Sequence, residues 1–441
     1  MNIATTPANI YNLNQGQKDA ADAFLEFLFS DGKEFIISGP AGVGKTYLMN
    51  YIIDNTMPRY HEMCQLIGVK PEYDGVVMTA TTNKAAEVLS NSVRRPTSTV
   101  HNFFNLMVKD DYKTGESFLK QTSQWKVHQK KIVFVDEASM IDTPLWKMIH
   151  EGTMNCKIVY VGDHNQLAPV HEDLSPVYKH DAPFVELLEP VRNAGQPALM
   201  QICQQLRETV STGVFKPIEI VPGVIDLLNG QQMQDEIQRV FQNQTHEARI
   251  LAYTNKQVMA YNEHIRGIRQ LPDAFQAGEY LVNNSVYHSK KGTVSVETEL
   301  EVLRNHGAKQ IMVDEEHPEV LLDVNLLDLQ DQFGTIIQNV PFPTNRVHYT
   351  DLVKYYGRMK KWSLMYNLKN NFADLRQRDA ATVHKSQGST YDTVFVDLGN
   401  ISTCHISNQA ARMLYVAFSR ARSRVFLYGD LVSKYGGLIL Q

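Results

Sequence analysis

Cysteine is scarce: Cys64, Cys156, Cys203 and Cys404 are the only four in 441 residues, and no two stand at metal-ligand spacing. That excludes a disulfide framework of the secreted kind and a paired-thiol metal site. Long apolar runs are also missing, and the first residues, Met1-Asn2-Ile3-Ala4-Thr5-Thr6, are polar. Neither membrane insertion nor export is expected, and the cytosol is the default compartment. Positive charge is not in excess either, since 43 Lys and Arg against 48 Asp and Glu leave a net charge of -5. Any nucleic-acid binding must therefore use a locally basic surface. Repeats and low-complexity segments are absent as well. What remains is a chain 43% hydrophobic and 21% charged, long enough for two large domains and a smaller insertion.

The most informative stretch is Phe35 to Thr46, an apolar run leading into Gly39-Pro40-Ala41-Gly42-Val43-Gly44-Lys45-Thr46. Glycine, four residues, then Gly-Lys-Thr, placed after an expected strand and before an expected helix, is the pattern of a phosphate-binding loop. The glycines let backbone amides turn inward around a triphosphate. Lys45 supplies a point charge to the terminal phosphates and Thr46 a hydroxyl for magnesium. ATP and Mg2+ are the ligands this loop implies.

Around it, Gln17 to Ser30 carries a helical stripe (Ala20, Phe24, Phe27, Leu28). Short β-branched runs then alternate with helical stretches: Val76 to Met78, Ile132 to Val135, Lys157 to Val161, and later Arg249 to Tyr253, Thr393 to Val396 and Val425 to Tyr428. Continuous apolar strands separated by helices imply mainly parallel sheets covered on both faces, hence two α/β units, about 1–189 and 190–441. Residues from about 284 to 370 break the rhythm and are expected to form an inserted β-rich subdomain. A smaller break at about 105–129 suits a hairpin projecting from the first unit.

Two further strand ends carry chemistry. In Ile132-Val133-Phe134-Val135-Asp136-Glu137, Asp136 falls at the carboxyl end of a buried strand, where it can reach magnesium. Glu137 can orient or deprotonate an attacking water. In Val161-Gly162-Asp163-His164-Asn165-Gln166, Gln166 is placed to sense a γ-phosphate.

These stretches, with Thr79 to Ala86, Ala381 to Thr390 and Leu414 to Arg422, occur in an order that resembles the helicase motifs of superfamily 1. The resemblance is to the branch of superfamily 1 that holds RecD-like and phage Dda-type helicases, and it extends from Gln17 to Arg422. It implies two RecA-like motor domains with a wedge hairpin and an inserted subdomain. It also implies an ATP-dependent motor that moves 5'-to-3' on single-stranded DNA and separates duplexes. Gln17 would read the adenine edge, and Gly388 would join the nucleotide site. Arg192 and Arg420 would reach the γ-phosphate, as permanently charged forks suited to a phosphoryl group gaining charge. Thr82, Asn83, Thr99, His101, His384, Lys385 and Ser386 would grip the strand through its phosphates, which position without specifying. Phe118 and Trp125 are the aromatic candidates for the wedge. Ala168 and Glu87 depart from common relatives without removing a catalytic group. The expected partners are single-stranded DNA, duplex junctions and replication or recombination proteins. A monomer in a bacterial or phage-infected cytosol is implied. An RNA translocase of the same fold and a nucleotide-gated binding protein that docks a partner without unwinding remain as alternatives.

Overall fold

The structure, a computed structural model, describes residues 11–439 apart from 74, 115, 170, 171, 190–195, 290, 291, 295 and 333. Its contacts divide the chain into two units: 1–106 with 121–194, and 107–120 with 195–441.

In the first unit, α1 (Gln15–Phe29) starts at a reciprocal capping box between Asn14 and Gln17. It is followed by β1 (Glu34–Ser38), the phosphate loop and α2 (Lys45–Tyr51), after which the chain stays helical through a π turn at Ile52–Thr56. Then come β2 (Gly75–Ala80), α3 (Asn83–Val93) and β3 (Thr97–Thr99). Beyond the hairpin strands β4 (Leu106–Asp110) and β5 (Ser117–Gln121) lie β6 (Lys131–Asp136), α4 (Thr143–Glu151), β7 (Lys157–Gly162) and β8 (Phe184–Glu186). The sheet order is β8-β1-β7-β6-β2-β3, parallel throughout. Its central strands β1, β6 and β7 are buried on both faces, which is why they read as continuous apolar runs. Phe24 of α1 packs on Phe35 and Phe134, at ring separations of 5.8 and 6.0 Å, and so fixes the helix against β1 and β6.

The second unit contains α5 (Pro197–Thr212), β9 (Ile225–Leu228), α6 (Gly230–Phe241), β10 (Ala248–Ala252) and α7 (Asn255–Ile268). After an insertion, described below with its strands β11 to β15, it resumes with β16 (Ala380–Thr382), β17 (Tyr391–Asp397), α10 (Ser407–Ser419) and β18 (Ala421–Tyr428). Its sheet order is β9-β18-β17-β10-β16, again parallel. Two doubly covered parallel sheets are the α/β architecture the sequence led us to expect.

The insertion is an antiparallel sheet, β14-β13-β12-β11-β15, made of β11 (Tyr280–Asn283), β12 (Glu299–Met312), β13 (Leu321–Asp331), β14 (Ile336–Pro343) and β15 (Leu375–Gln377). The sequence shows its β-rich character but not its helices, α8 (Arg346–Arg358) and α9 (Trp362–Asn371). α8 carries four charged residues and three tyrosines among few aliphatics, and α9 is short with three asparagines, so the apolar stripe of each is weak.

The hairpin β4/β5 differs from expectation in its attachment. Its residues 107–120 group with the second unit, and the contacts are specific. The Trp362 indole N–H donates to the Lys113 carbonyl at 3.0 Å, Asn370 Nδ2 donates to Asp110 Oδ2 at 3.0 Å, and Tyr112 meets Tyr366 edge-on at 5.3 Å.

Candidate nucleotide and nucleic-acid sites

The phosphate loop is held open by close backbone approaches. A Cβ on Gly39 would lie 2.4 Å from the Leu187 carbonyl oxygen, and the Gly39 amide donates to the Gly162 carbonyl at 3.0 Å. Gly42 and Gly44 have φ of 87° and 79°, which L side chains avoid. Lys45 Nζ donates to the Gly39 and Pro40 carbonyls at 2.7 and 2.9 Å, so its ammonium already sits inside the curl of the loop. Thr46 follows in the first turn of α2.

The strand register lines up the remaining groups of this unit. Ser38 pairs with Gly162, and Ala80 pairs with both Asp136 and Thr99. The phosphate loop, the Asp163–Gln166 turn, Asp136–Glu137, Thr82–Asn83 and Thr99 therefore follow the carboxyl ends of five adjacent strands. Burial, with Glu137 beside it, pushes the Asp136 carboxyl up to about 7, against the pull of Lys45. Two carboxyls crowded beside one lysine form a donor set that a dication would relieve, so Asp136 and Thr46 fit the magnesium the loop implies. Glu137 has φ 54°, a left-handed conformation uncommon for glutamate, and its carbonyl accepts from the Thr81 hydroxyl at 3.3 Å. Gln166 is buried, its amide donating to the Asp163 carbonyl at 3.0 Å.

Several expected residues prove more committed than the sequence suggests. Gln17 is 0% exposed; its carboxamide accepts from the Asn14 amide and donates to the Val43 carbonyl at 3.1 Å, bracing the loop from behind. Thr82 and Thr99 cap their helices, accepting from the Ala85 and Asn102 amides, each at 3.1 Å. His101 lies in the short helix that Thr99 caps, and burial holds it below its ordinary pKa. Trp125 lies beyond the hairpin strands, half-buried beside Phe104 at 6.3 Å and against Gly152. Phe118 does lie on β5 and is 46% exposed.

In the second unit, His384-Lys385-Ser386 form a tight turn after β16, with burial again lowering the pKa of His384. Ser386 is buried, its hydroxyl donating to the Val383 carbonyl at 2.8 Å. Lys385 Nζ is ion-paired with Glu297 at 2.6 Å and also donates to Asn284, so the insertion already occupies it. Gly388 has φ 78°. Arg420, 4% exposed, donates to the Ser389 carbonyl at 3.0 Å, the Val416 carbonyl at 3.2 Å and the Ser419 hydroxyl at 2.9 Å. Arg192 lies outside the described residues.

Sequence reasoning missed two features. His164 Nδ1 lies 2.8 Å from the Ser38 hydroxyl, tying the Gln166 turn to the residue before the phosphate loop. Asn400 Oδ1 accepts from the Tyr253 and Thr254 amides, both at 2.8 Å, joining β17 to the start of α7. The Thr-Asn start of α7 at 254–255 repeats the Thr82-Asn83 start of α3, a parallel that was readable in the sequence.

Among the described residues no helix is long and apolar enough to cross a membrane. A family model for the AAA domain matches residues 12–216, and one for the UvrD-like helicase C-terminal domain matches 379–428. The chain is 22% identical to the ATP-dependent DNA helicase dda of Enterobacteria phage T4, covering 94% of this chain and 99% of that protein. It is 21% identical to the uncharacterized protein R530 of Acanthamoeba polyphaga mimivirus, over 93% and 99% respectively. The fold matches the crystal structure of Pif1 helicase from Bacteroides in complex with ADP-AlF3 and ssDNA, with a TM-score of 0.51 and 14% identity, over 98% of this chain and 95% of that one. With family models matching both halves, a phage helicase aligned end to end and the motifs in order, the chain is similar along its length to the superfamily 1B helicases.

Proposed function

We propose that this protein is an ATP-dependent DNA helicase that moves 5'-to-3' along single-stranded DNA and opens duplexes. The observation that carries the reading is the carboxyl edge of the first sheet, where one line of strand ends holds nucleotide groups at β1, β6 and β7 and strand-grip candidates at β2 and β3. Nucleotide state and grip thereby share a rigid element only a few strands wide.

Each residue has a defined task. The loop amides and Lys45 bind the triphosphate, and Thr46 and Asp136 would hold Mg2+, which neutralises charge on the phosphates when bound. Glu137 takes the proton of the attacking water. Gln166 senses the γ-phosphate, and Arg420 with Arg192 supplies charge for the transition state. Thr82, Asn83, Thr99, His101, His384 and Ser386 hold phosphates of the strand, a sequence-independent grip. Phe118 is the wedge.

The test is ATP hydrolysis with and without single-stranded DNA or RNA, followed by unwinding of duplexes with a 5' or a 3' overhang. Stimulation by DNA with opening from the 5' overhang alone is expected. Hydrolysis indifferent to nucleic acid would sink the motor reading, and stimulation without opening would leave a translocase.

A further inference from the structure

The chain as a whole is acidic, yet one stretch is the reverse. Residues 346–361 contain Arg346, Lys354, Arg358, Lys360 and Lys361 against a single acid, Asp351. Two of the five cations have structural work. Arg346 donates to the Leu375 carbonyl, and Lys361 pairs with Asp314 at 3.6 Å and Glu316 at 3.3 Å. Lys354, Arg358 and Lys360 are exposed, and among the described residues none of them has an ion-pair partner.

The placement is not that of a merely solvated helix face. Lys354 and Arg358 stand one turn apart on α8, and the next row along the same helix is Tyr355 and Met359, which are 54% and 57% exposed. Cations in the last turn would be favoured by the helix dipole alone. That accounts for Arg358 and Lys360, but not for Lys354 a turn earlier or for two large apolar side chains left in solvent. A row of unpaired cations beside a row of aromatic and thioether groups is the composition of a nucleic-acid surface.

Its position selects the kind of nucleic acid. The turn between α8 and α9 runs directly into Trp362, whose indole is bonded to Lys113 at the tip of the β4/β5 hairpin. Tyr112 and Asp110 of the same hairpin are fixed to α9. The basic surface thus flanks the tip of the hairpin that carries Phe118. DNA beside the tip of a strand-separating hairpin is still paired.

We propose that the outer face of α8 and the α8–α9 turn bind the phosphate backbone of the duplex ahead of the junction, through Lys354, Arg358 and Lys360, with Tyr355 and Met359 lying against the sugar edge. This contact rests on the helicase reading and adds to it a binding site for duplex DNA separate from the single-strand grip.

The experiment is fluorescence anisotropy on a forked duplex and on its single-stranded tail alone, over a salt series, for the parent and the K354E/R358E/K360E variant. All three residues are exposed, so the variant is expected to fold, as circular dichroism would check. Fork affinity should fall tenfold or more near 0.1 M salt, and the fork's log-log salt slope should shrink by about 2 to 3, since each lost contact to B-form phosphate removes about 0.9. Tail affinity and single-strand-stimulated hydrolysis should match the parent. An unchanged fork affinity and slope would overturn the duplex contact. Equal losses on fork and tail would also overturn it, by making the surface part of the single-strand grip. A parent whose hydrolysis ignores single-stranded DNA would instead strike at the helicase reading, so the two failures are distinguishable.

Discussion

At the scale of single residues, the ion pair between Lys385 and Glu297 has the clearest consequence. A lysine that is to hold a phosphate must leave a carboxylate 2.6 Å away, and Glu297 is kept in place by a left-handed φ of 62° and an amide bonded to the Asn283 carbonyl. Phosphate and Glu297 therefore compete for one ammonium. Glu297→Gln should raise the affinity for single-stranded DNA several-fold, the effect of relieving about 1 kcal/mol of charge pairing at a partly exposed site. Unchanged affinity in a titration would mean that Lys385 fastens the insertion and does not touch the strand. Arg420 poses a different question, because its guanidinium is buried among carbonyls of its own unit. Arg420→Ala is expected to retain nucleotide binding while hydrolysis drops roughly a thousandfold, the range for arginine fingers. If binding alone suffers in a paired measurement of Kd and kcat, the arginine does not act on the transition state.

At the scale of elements, the hairpin is rigid only if something outside it makes it so, since an isolated two-stranded ribbon is marginal in water. Helix α9 does this through Trp362, Tyr366 and Asn370. Trp362→Phe keeps the ring and removes the N–H, so unwinding of a tailed duplex should slow while single-strand-stimulated hydrolysis stays at the parent rate. Equal losses in both assays would show that the brace serves the motor as a whole. A second element, α4, is tied to β1 by His150 and Glu34, 2.9 Å apart. Burial disfavours the charged form of each, but on Glu34 the bond and charge of His150 and the Trp146 indole prevail, holding it below its ordinary value of 4.5. On His150 the bond to Glu34, the Trp146 carbonyl and the Glu34 charge prevail, holding it above 6.5. The histidine's contribution is complete below 6.5 and is lost as pH rises through its folded value; the glutamate's is complete above 4.5 and is lost as pH falls through its folded value. The pair thus stabilises most between those two values. In urea unfolding, the gap between parent and His150→Gln should be widest there, on the order of 1 kcal/mol, and should narrow as pH rises through the histidine's folded value. A gap independent of pH would mean that the histidine contributes through packing alone.

At the scale of the whole molecule, the parts legible in the sequence were those fixed by local chemistry. Gly42 and Gly44 announce a loop whose backbone side chains avoid, and Val133 to Asp136 announces a buried strand ending in a carboxylate. The parts that were not legible depend on contacts between distant residues. Nothing near Lys113 signals that its carbonyl will meet Trp362, and nothing near Gln17 signals that its carboxamide will brace Val43. The packing of Trp125 is hidden for the same reason, since Gly152 and Phe104 lie elsewhere in the chain. The two units also have separate cores, one around Phe24, Phe35 and Phe134 and the other around Phe241, Phe395 and Phe426. Separate cores of this size are expected to unfold separately, so calorimetry should resolve two transitions. A nucleotide held mainly by the phosphate loop stabilises the first unit by about 2.7 kcal/mol at a hundredfold excess over its Kd, which is a rise of roughly 5 to 10 °C for a unit of this length. Magnesium and ADP should therefore raise one transition and leave the other in place, and Lys45→Ala should abolish the rise. Movement of both transitions by similar amounts would mean that Arg420 and Gly388 carry part of the binding energy, and that the second unit contributes to nucleotide binding as well as to hydrolysis.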